Sequence, residues 1–379
     1  MKLLYLAHDL DDAAIWRRVQ MLEAAGAEVV IAGFKRLPGA PQRPAEILGW
    51  TQDGKLAARA LSVARAYPQI RRRVRALVSD GVDVILSRNL EMLALGRHAR
   101  AAFADKPALV YELLDIHRIM LGQGTASRAL RRIERRLLAE TDLIVTSSEA
   151  FESQYLEPYQ HNTVPVHLVE NKPFLPESLI PQGARLAPVT QGQITIGWFG
   201  ILRCRWSLET LDGLTRRNPG RYRVVISGRP SLDVIPDFHA VIEANDALEF
   251  RGSYAWPDDL PEIYGACDLA WLLDRFDPGG NSDWLLPNRL YEGGLFGAPP
   301  IGLSHTQIGR RMAREGIGLQ VSAPEISAVE DALAPIGPKE LEALRSALAA
   351  RERASWLASA ADGAAMLTAL RAPIQSHAA

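Results

Sequence analysis

The densest run of chemistry-bearing side chains lies at 281–294, NSDWLLPNRLYEGG, where Asn281, Ser282, Asp283, Asn288 and Glu292 sit among large apolar residues. A core element has no need of such polarity. Pro287 marks a helix start, so Leu286 to Asn288 would present backbone N–H groups there. Glu292 falls about one turn inside, where a carboxylate can accept hydrogen bonds from a vicinal diol such as ribose. Two further stretches join it. WFG ends an apolar run at Gly200 and is followed by Arg203 and Arg205, a junction at which N–H groups and guanidinium forks can meet a diphosphate. Ser227-Gly228-Arg229-Pro230 repeats the small-residue turn with one arginine. In the first half, Asp9, Asp11 and Asp12 follow the first apolar run, Arg88 and Asn89 follow a later one, and Asp115 and His117 close ALVYELLDIH. Helix N-capping also suits one of the first three aspartates, and Asp115.

These residues share a position, the ends of short β-branched runs. Strands are expected at 2–8, 28–34, 82–87, 108–114, 143–148 and 166–171, with amphipathic helices at 13–25, 57–79, 89–102 and 127–140 between them. Residues 172–193 are rich in Pro, Gly and Gln and read as a linker. A second series follows at 194–200, 222–228, 248–253, 267–273, 299–304 and 318–322, closed by helices at 338–350 and 352–370. Strand–helix alternation predicts parallel sheets covered on both faces, and ligands of such sheets bind outside the carboxyl ends of the strands. The expectation is two doubly wound α/β domains, 1–171 and 194–350, facing a cleft, with 351–379 crossing back to the first.

The totals agree with a two-domain soluble protein: 379 residues, 47% hydrophobic, 23% charged. A formal net charge of −1 argues against nucleic acid as partner. Cys204 and Cys267 lack metal-ligand spacing and read as free thiols of a cytoplasmic chain. Neither a signal peptide nor a stretch of membrane-spanning length is evident.

LPNRLYEGGLFGAPPIG resembles the P-N-(K/R)-L-x-E…G-x-P-x-I motif of bacterial polysaccharide glycosyltransferases related to family 4. LYLAHDLDDAAIWRRVQMLEAAGAEVVIAGFKR, SRNLEML, YELLDIHRIM and GGNSDWLLPNRLYEGG together resemble exopolysaccharide glycosyltransferases of the succinoglycan type. The resemblance implies the GT-B architecture of two Rossmann-like domains. It further implies a nucleotide-sugar donor, with uracil as the family's usual base. Glu292 would bind ribose and Arg203 and Arg205 the diphosphate, among donor residues Gly200, Arg229, Asn281, Ser282, Asp283, Leu286 and Asn288. Neither metal nor cofactor is expected. An inverting transfer needs a base, for which Asp115 is the candidate; in a retaining one His117 would touch or orient the donor sugar. Asp9, Asp11, Asp12, Arg88 and Asn89 would line the acceptor pocket. Two departures leave the stereochemistry open. Trp284, with Asp283 beside it, stands where many retaining relatives carry a glutamate, and His8-Asp9-Leu10-Asp11-Asp12 replaces a Gly-Gly turn.

Residues 54–79 carry Lys55, Arg59, Arg65, Arg71, Arg72, Arg73 and Arg75 without any acid. A basic amphipathic helix suits an anionic membrane surface, here the inner leaflet, and the family's acceptors are usually lipid-linked diphosphates. A solvated covering helix is the plainer alternative. No G-x-G-x-x-G follows a strand, which disfavours a dehydrogenase. A sugar-nucleotide 2-epimerase of the same fold and a non-catalytic nucleotide-sugar-binding partner of an assembly complex are the remaining rivals.

Overall fold

A computed structural model of the chain describes residues 1–51, 56–181 and 192–378. Lys55 and positions 182–191 of the expected linker lie outside the described residues. The chain divides into two compact units, Met1–Phe174 with Ala358–Ala379, and Leu175–Leu357.

The first unit holds β1 (Lys2–Ala7), β2 (Glu28–Lys35), β3 (Glu46–Trp50), β4 (Val84–Arg88), β5 (Ala108–Leu113), β6 (Leu143–Thr146) and β7 (Val166–Leu168). They form one sheet in the order β3-β2-β1-β4-β5-β6-β7, with every pairing parallel. The helices that matter below are α1 (Ala13–Ala24), α2 (Leu56–Ala66), α3 (Ile70–Leu77), α4 (Leu90–Arg100) and α5 (Thr125–Leu138). Buried on both faces, the central strands are apolar without alternation. Leu3, Tyr5 and Ala7 of β1 share a core with Ile15 and Val19 of α1, while Leu4 and Leu6 are also fully buried.

The sequence reading misses β3, a five-residue edge strand interrupted by Gly49. It pairs with β2 across a register shift at Gly33/Phe34. The expected helix at 57–79 is two helices, joined by a short 3-10 turn over Tyr67–Gln69 that contains Pro68. The terminal helix begins at Ala360, not at 352. Its start is set by Ser359 and Asp362: the Ser359 N–H donates to the Asp362 carboxylate (2.8 Å) and the Asp362 N–H to the Ser359 hydroxyl (3.4 Å). Met366, Leu367 and Leu370 of this helix enter the core of the first unit beside α1.

The second unit holds β8 (Ile194–Leu202), β9 (Tyr222–Pro230), β10 (Leu248–Phe250), β11 (Leu269–Trp271), β12 (Pro300–Leu303) and β13 (Leu319–Val321). Their order is β10-β9-β8-β11-β12-β13, again all parallel. Of its helices, α6 (Arg205–Arg217) follows β8, and α7 (Asn288–Phe296) precedes β12. Leu175 and Ile180, from the stretch read as a linker, are buried in this unit's core. In both sheets the strand order reverses once, beside β1 and β4 in one and β8 and β11 in the other. The residues after those strands therefore sit where open α/β sheets bind ligands.

Candidate active site

In the second unit the ends of β8 and β9 come together on two glycines. Gly200 has φ +100° and lies in register with Gly228 at φ +143°. A Cβ on Gly228 would stand 1.9 Å from the Gly200 carbonyl oxygen, so a side chain there is barred both by contact and by conformation. The turn delivers Cys204 as the N-cap of α6, its sulfur accepting the N–H groups of Ser207 (3.4 Å) and Arg275 (3.1 Å). Cys204 and Cys267 are both buried and unbridged. The two expected diphosphate arginines differ in setting. The Arg203 guanidinium lies 4.4 Å from the Phe276 ring centroid, a stacking that orients its donors. Arg205 is engaged by carboxylates, Asp237 at 2.6 Å and Glu209 at 3.6 Å. Arg229, at the end of β9, is exposed.

The opening motif folds as a short helix over Asn281–Trp284, an extended Leu285, and α7 from Asn288, with Pro287 as its N-cap residue. Its polar residues first knit the loop itself. The Ser282 hydroxyl accepts the Asp277 N–H (2.8 Å), Asp283 accepts the Gly279 N–H (2.6 Å), and Asp277 accepts the Asn281 N–H (3.1 Å). Asp283 also lies 3.8 Å from His305. Leu286 is buried and anchors the start of α7, whereas Asn288 is half-buried.

Glu292 is 2% exposed, with one carboxylate oxygen accepting the Trp256 indole N–H (3.0 Å) and the other the Tyr264 hydroxyl (2.9 Å). Burial and the adjacent Glu292 charge push the Tyr264 hydroxyl well above its ordinary value, so it remains a permanent donor. Each carboxylate oxygen keeps a further lone pair. The carboxylate therefore has acceptor capacity beyond its two protein donors. Trp256 and Tyr264 are absent from the sequence reading because they lie 36 and 28 positions upstream. The signal available was the aromatic run YAWPDDLPEIY before a strand.

In the first unit the residues after β1, β4 and β5 divide into two groups. Arg88 belongs to a buried network under the sheet end: its guanidinium donates to the Tyr5 hydroxyl (3.4 Å) and lies 3.7 Å from Asp12. Tyr5 in turn donates to Glu112, which Arg18 pairs at 2.8 Å. Glu112, fully buried, is therefore a structural carboxylate. Asp12 caps α1 by accepting the Ala14 N–H (2.9 Å). Burial raises the Asp12 carboxyl, but the Arg88 charge and that cap outweigh it and the net shift is downward. Asp11 clamps the chain after β2, pairing Lys35 and accepting the N–H groups of Arg36 (2.8 Å) and Leu37 (2.9 Å). Asp9 pairs with Arg36, and burial pushes its carboxyl up. His8, beside them, was not singled out in the sequence. Burial and the Arg88 and Arg59 charges push its imidazole down to about 3, so it is neutral at physiological pH.

The second group shares one cavity of about 600 Å³, lined by Asn89, Asp115 and His117 together with Arg59 and Glu91. Arg59 and Glu91 form an ion pair. The cap of the short 3-10 helix Arg118–Met120 is His117 and not Asp115: its Nδ1 accepts the Ile119 N–H at 3.2 Å. With Nδ1 taken up as an acceptor, Nε2 is the ring nitrogen left to donate. Asp115 is exposed. Of the basic stretch, Arg65, Arg71, Arg72 and Arg75 are exposed, while Arg73 grips β3 through Glu46 (2.8 Å) and the Leu48 carbonyl (3.0 Å). Among the described residues no helix is long and apolar enough to cross a membrane.

Residues 13–172 match the family model of the glycosyl transferase 4-like domain. The chain is 39% identical over 348 residues to the succinoglycan biosynthesis protein ExoL of Rhizobium meliloti, covering 89% of this chain and 85% of that protein. Two solved structures share the fold over nearly the whole length. Anabaena HepE in complex with UDP and glucose aligns with TM-score 0.70 at 15% identity, over 98% of this chain and 100% of that one. Sucrose-phosphate synthase from Thermosynechococcus elongatus aligns with TM-score 0.75 at 14% identity, over 99% of each chain.

Proposed function

Because the chain belongs to the GT-B glycosyltransferases with a glycosyl transferase 4-like domain, we propose that it moves a sugar from a UDP-sugar to a lipid-linked saccharide in exopolysaccharide assembly. The observation that carries the donor side is the Glu292 carboxylate, buried yet held by Trp256 and Tyr264 with acceptor capacity to spare. Such a carboxylate suits a ribose diol. UDP as the nucleotide is supported by HepE, which was solved with UDP, and exopolysaccharide assembly by the likeness to ExoL. Arg203, oriented by Phe276, would face the diphosphate. The Asp237 and Glu209 pairs of Arg205 make it the weaker diphosphate ligand, needing a partner exchange to act. Gly200, Arg229, Asn281, Ser282, Asp283, Leu286 and Asn288 complete the donor wall, Ser282 and Asp283 by fixing the loop.

In transfer, the acceptor hydroxyl attacks the anomeric carbon as the bond to the diphosphate oxygen breaks, the electron pair leaving with UDP. With inversion the hydroxyl proton passes to Asp115; with retention it passes to the departing diphosphate oxygen, while His117 Nε2–H hydrogen-bonds the donor sugar. Arginines and N–H groups stabilise the departing charge, and the reaction is metal-independent on this reading. The acceptor saccharide lies along Asn89, whereas Asp9, Asp11 and Asp12, held by Arg36, by Lys35 and by the α1 cap, support that surface without lining it. The protein works at the inner face of the cytoplasmic membrane, drawn by the exposed arginines of α2 and α3.

Thermal unfolding with UDP, GDP and ADP, each also against Glu292→Ala, tests the donor site. A rise in Tm with UDP alone that is lost in the variant is the expected result. An equal rise in both proteins would remove Glu292 from the ribose.

A further inference from the structure

The cavity that holds Asp115 and His117 at its edge is mostly apolar, and it runs between two helices of the first unit. Val63 and Ala64 of α2 form one wall and Leu130 and Ile133 of α5 the other, over a floor that includes Leu113. Ile133 is 47% exposed, too open for a finished core. Three acids line the cavity: Asp115 is exposed, Glu91 is paired with Arg59, and Glu134 is buried and takes hydrogen bonds from Tyr111 (2.9 Å), Tyr155 and Gln160, so the buried one requires no water in the slot. At about 600 Å³ the space is that of a small-molecule site.

Both walls are also cationic. From 56 to 77 the chain has no acid, and Arg65, Arg71, Arg72 and Arg75 are exposed. On α5, Arg128, Arg132 and Arg136 are exposed, and Glu134 faces inward. An apolar slot between two outwardly cationic helices matches a ligand with an apolar chain and an anionic head. The slot shares its opening with Asp115 and His117, which favours the acceptor over bulk lipid.

We propose that this slot takes the isoprenoid chain next to the head group of the lipid-linked acceptor, with the diphosphate held by arginines of the two walls. The proposal rests on the reading that the acceptor is lipid-linked. It makes the first unit a chain-binding module and not merely a membrane-adhesive surface.

Farnesyl diphosphate and inorganic diphosphate are soluble probes for calorimetric titration of the full chain. Farnesyl diphosphate is expected to bind at least about tenfold more tightly. Ala64→Trp, which fills the slot, and Ile133→Asp, which charges its mouth, should each abolish that margin. The unliganded Tm of each variant and its UDP-induced rise report whether the two units are folded, and the exposed Ile133 site makes at least that variant tolerable. Equal binding of the two probes by the unaltered chain overturns the proposal, as does an unchanged margin in both variants. Loss of binding to dioleoylphosphatidylglycerol vesicles with the farnesyl margin intact also overturns it, assigning the slot to a phospholipid. Sugar transfer scored separately keeps the two readings apart. Label reaching an organic-extractable product without a farnesyl margin sinks the slot and keeps the lipid-linked acceptor. A farnesyl margin with label only in water-soluble saccharide supports slot binding and sinks that acceptor.

Discussion

A carboxylate as buried as Glu292 is tolerable only with its donors in place, so Trp256 and Tyr264 matter to it as much as any ligand would. Tyr264→Phe keeps the ring packing and deletes one donor. Stability is expected to fall by about 1–3 kcal/mol, read from the urea midpoint at constant slope, and UDP affinity should fall with it as the carboxylate shifts. His8 gives a pH signature. Its imidazole is depressed from 6.5 to about 3 on folding, so below 6.5 the unfolded chain takes up a proton that the folded chain refuses. Stability drains as pH falls through that window, by at most about 1.4 kcal/mol per unit. His8→Gln lacks this term, so the stability gap between the unaltered chain and the variant is expected to narrow between pH 7 and 4; a constant gap in urea melts would contradict the buried neutral imidazole. Glu292 was legible in the sequence because proline, asparagine and glutamate fall together in one short run. Its two donors were not, since packing and not proximity in sequence brings them there. The same holds for Asp11, whose clamp on Lys35, Arg36 and Leu37 depends on strand pairing.

Among the elements, the basic stretch shows how one periodic pattern can hide two jobs. Arg72 and Arg73 are adjacent, yet one is exposed and the other ties α3 to the edge strand β3. Arg73→Ala is expected to cost about 1–3 kcal/mol by leaving the Glu46 carboxylate and strand carbonyls without their donor. Arg72→Ala should stay within about 0.5 kcal/mol while weakening sedimentation with anionic vesicles, an effect that salt removes. Composition alone could not separate them, because β3 itself is a short edge strand interrupted by glycine and preceded by proline. The longer strands were legible from apolar runs with no alternation, as sheets covered on both faces require. At the β8–β9 end, Gly228→Ala places a methyl against the Gly200 carbonyl. It should lower both Tm and UDP binding, whereas Gly220→Ala, with open space around it but φ +77°, should lower Tm alone.

For the whole molecule, the division into two units has a thermodynamic reading. The terminal helix contributes Met366, Leu367 and Leu370 to the first unit, each worth about 1.5–3 kcal/mol when buried. Truncation after Leu357 is expected to destabilise that unit by several kcal/mol while the UDP-induced shift of the second persists; calorimetry resolving two transitions would show it. The sequence signalled the return of the last helix only through the resemblance, since its own pattern placed the start eight residues early and said nothing of where it packs. That return also bears on synthesis. A chain emerging from the ribosome usually completes its domains in the order they are made. Here the segment made first cannot close its core until Met366 and Leu370 have left the exit tunnel, by which time every strand of the second unit has been exposed. The nascent chain therefore matures out of order, the later-made unit first.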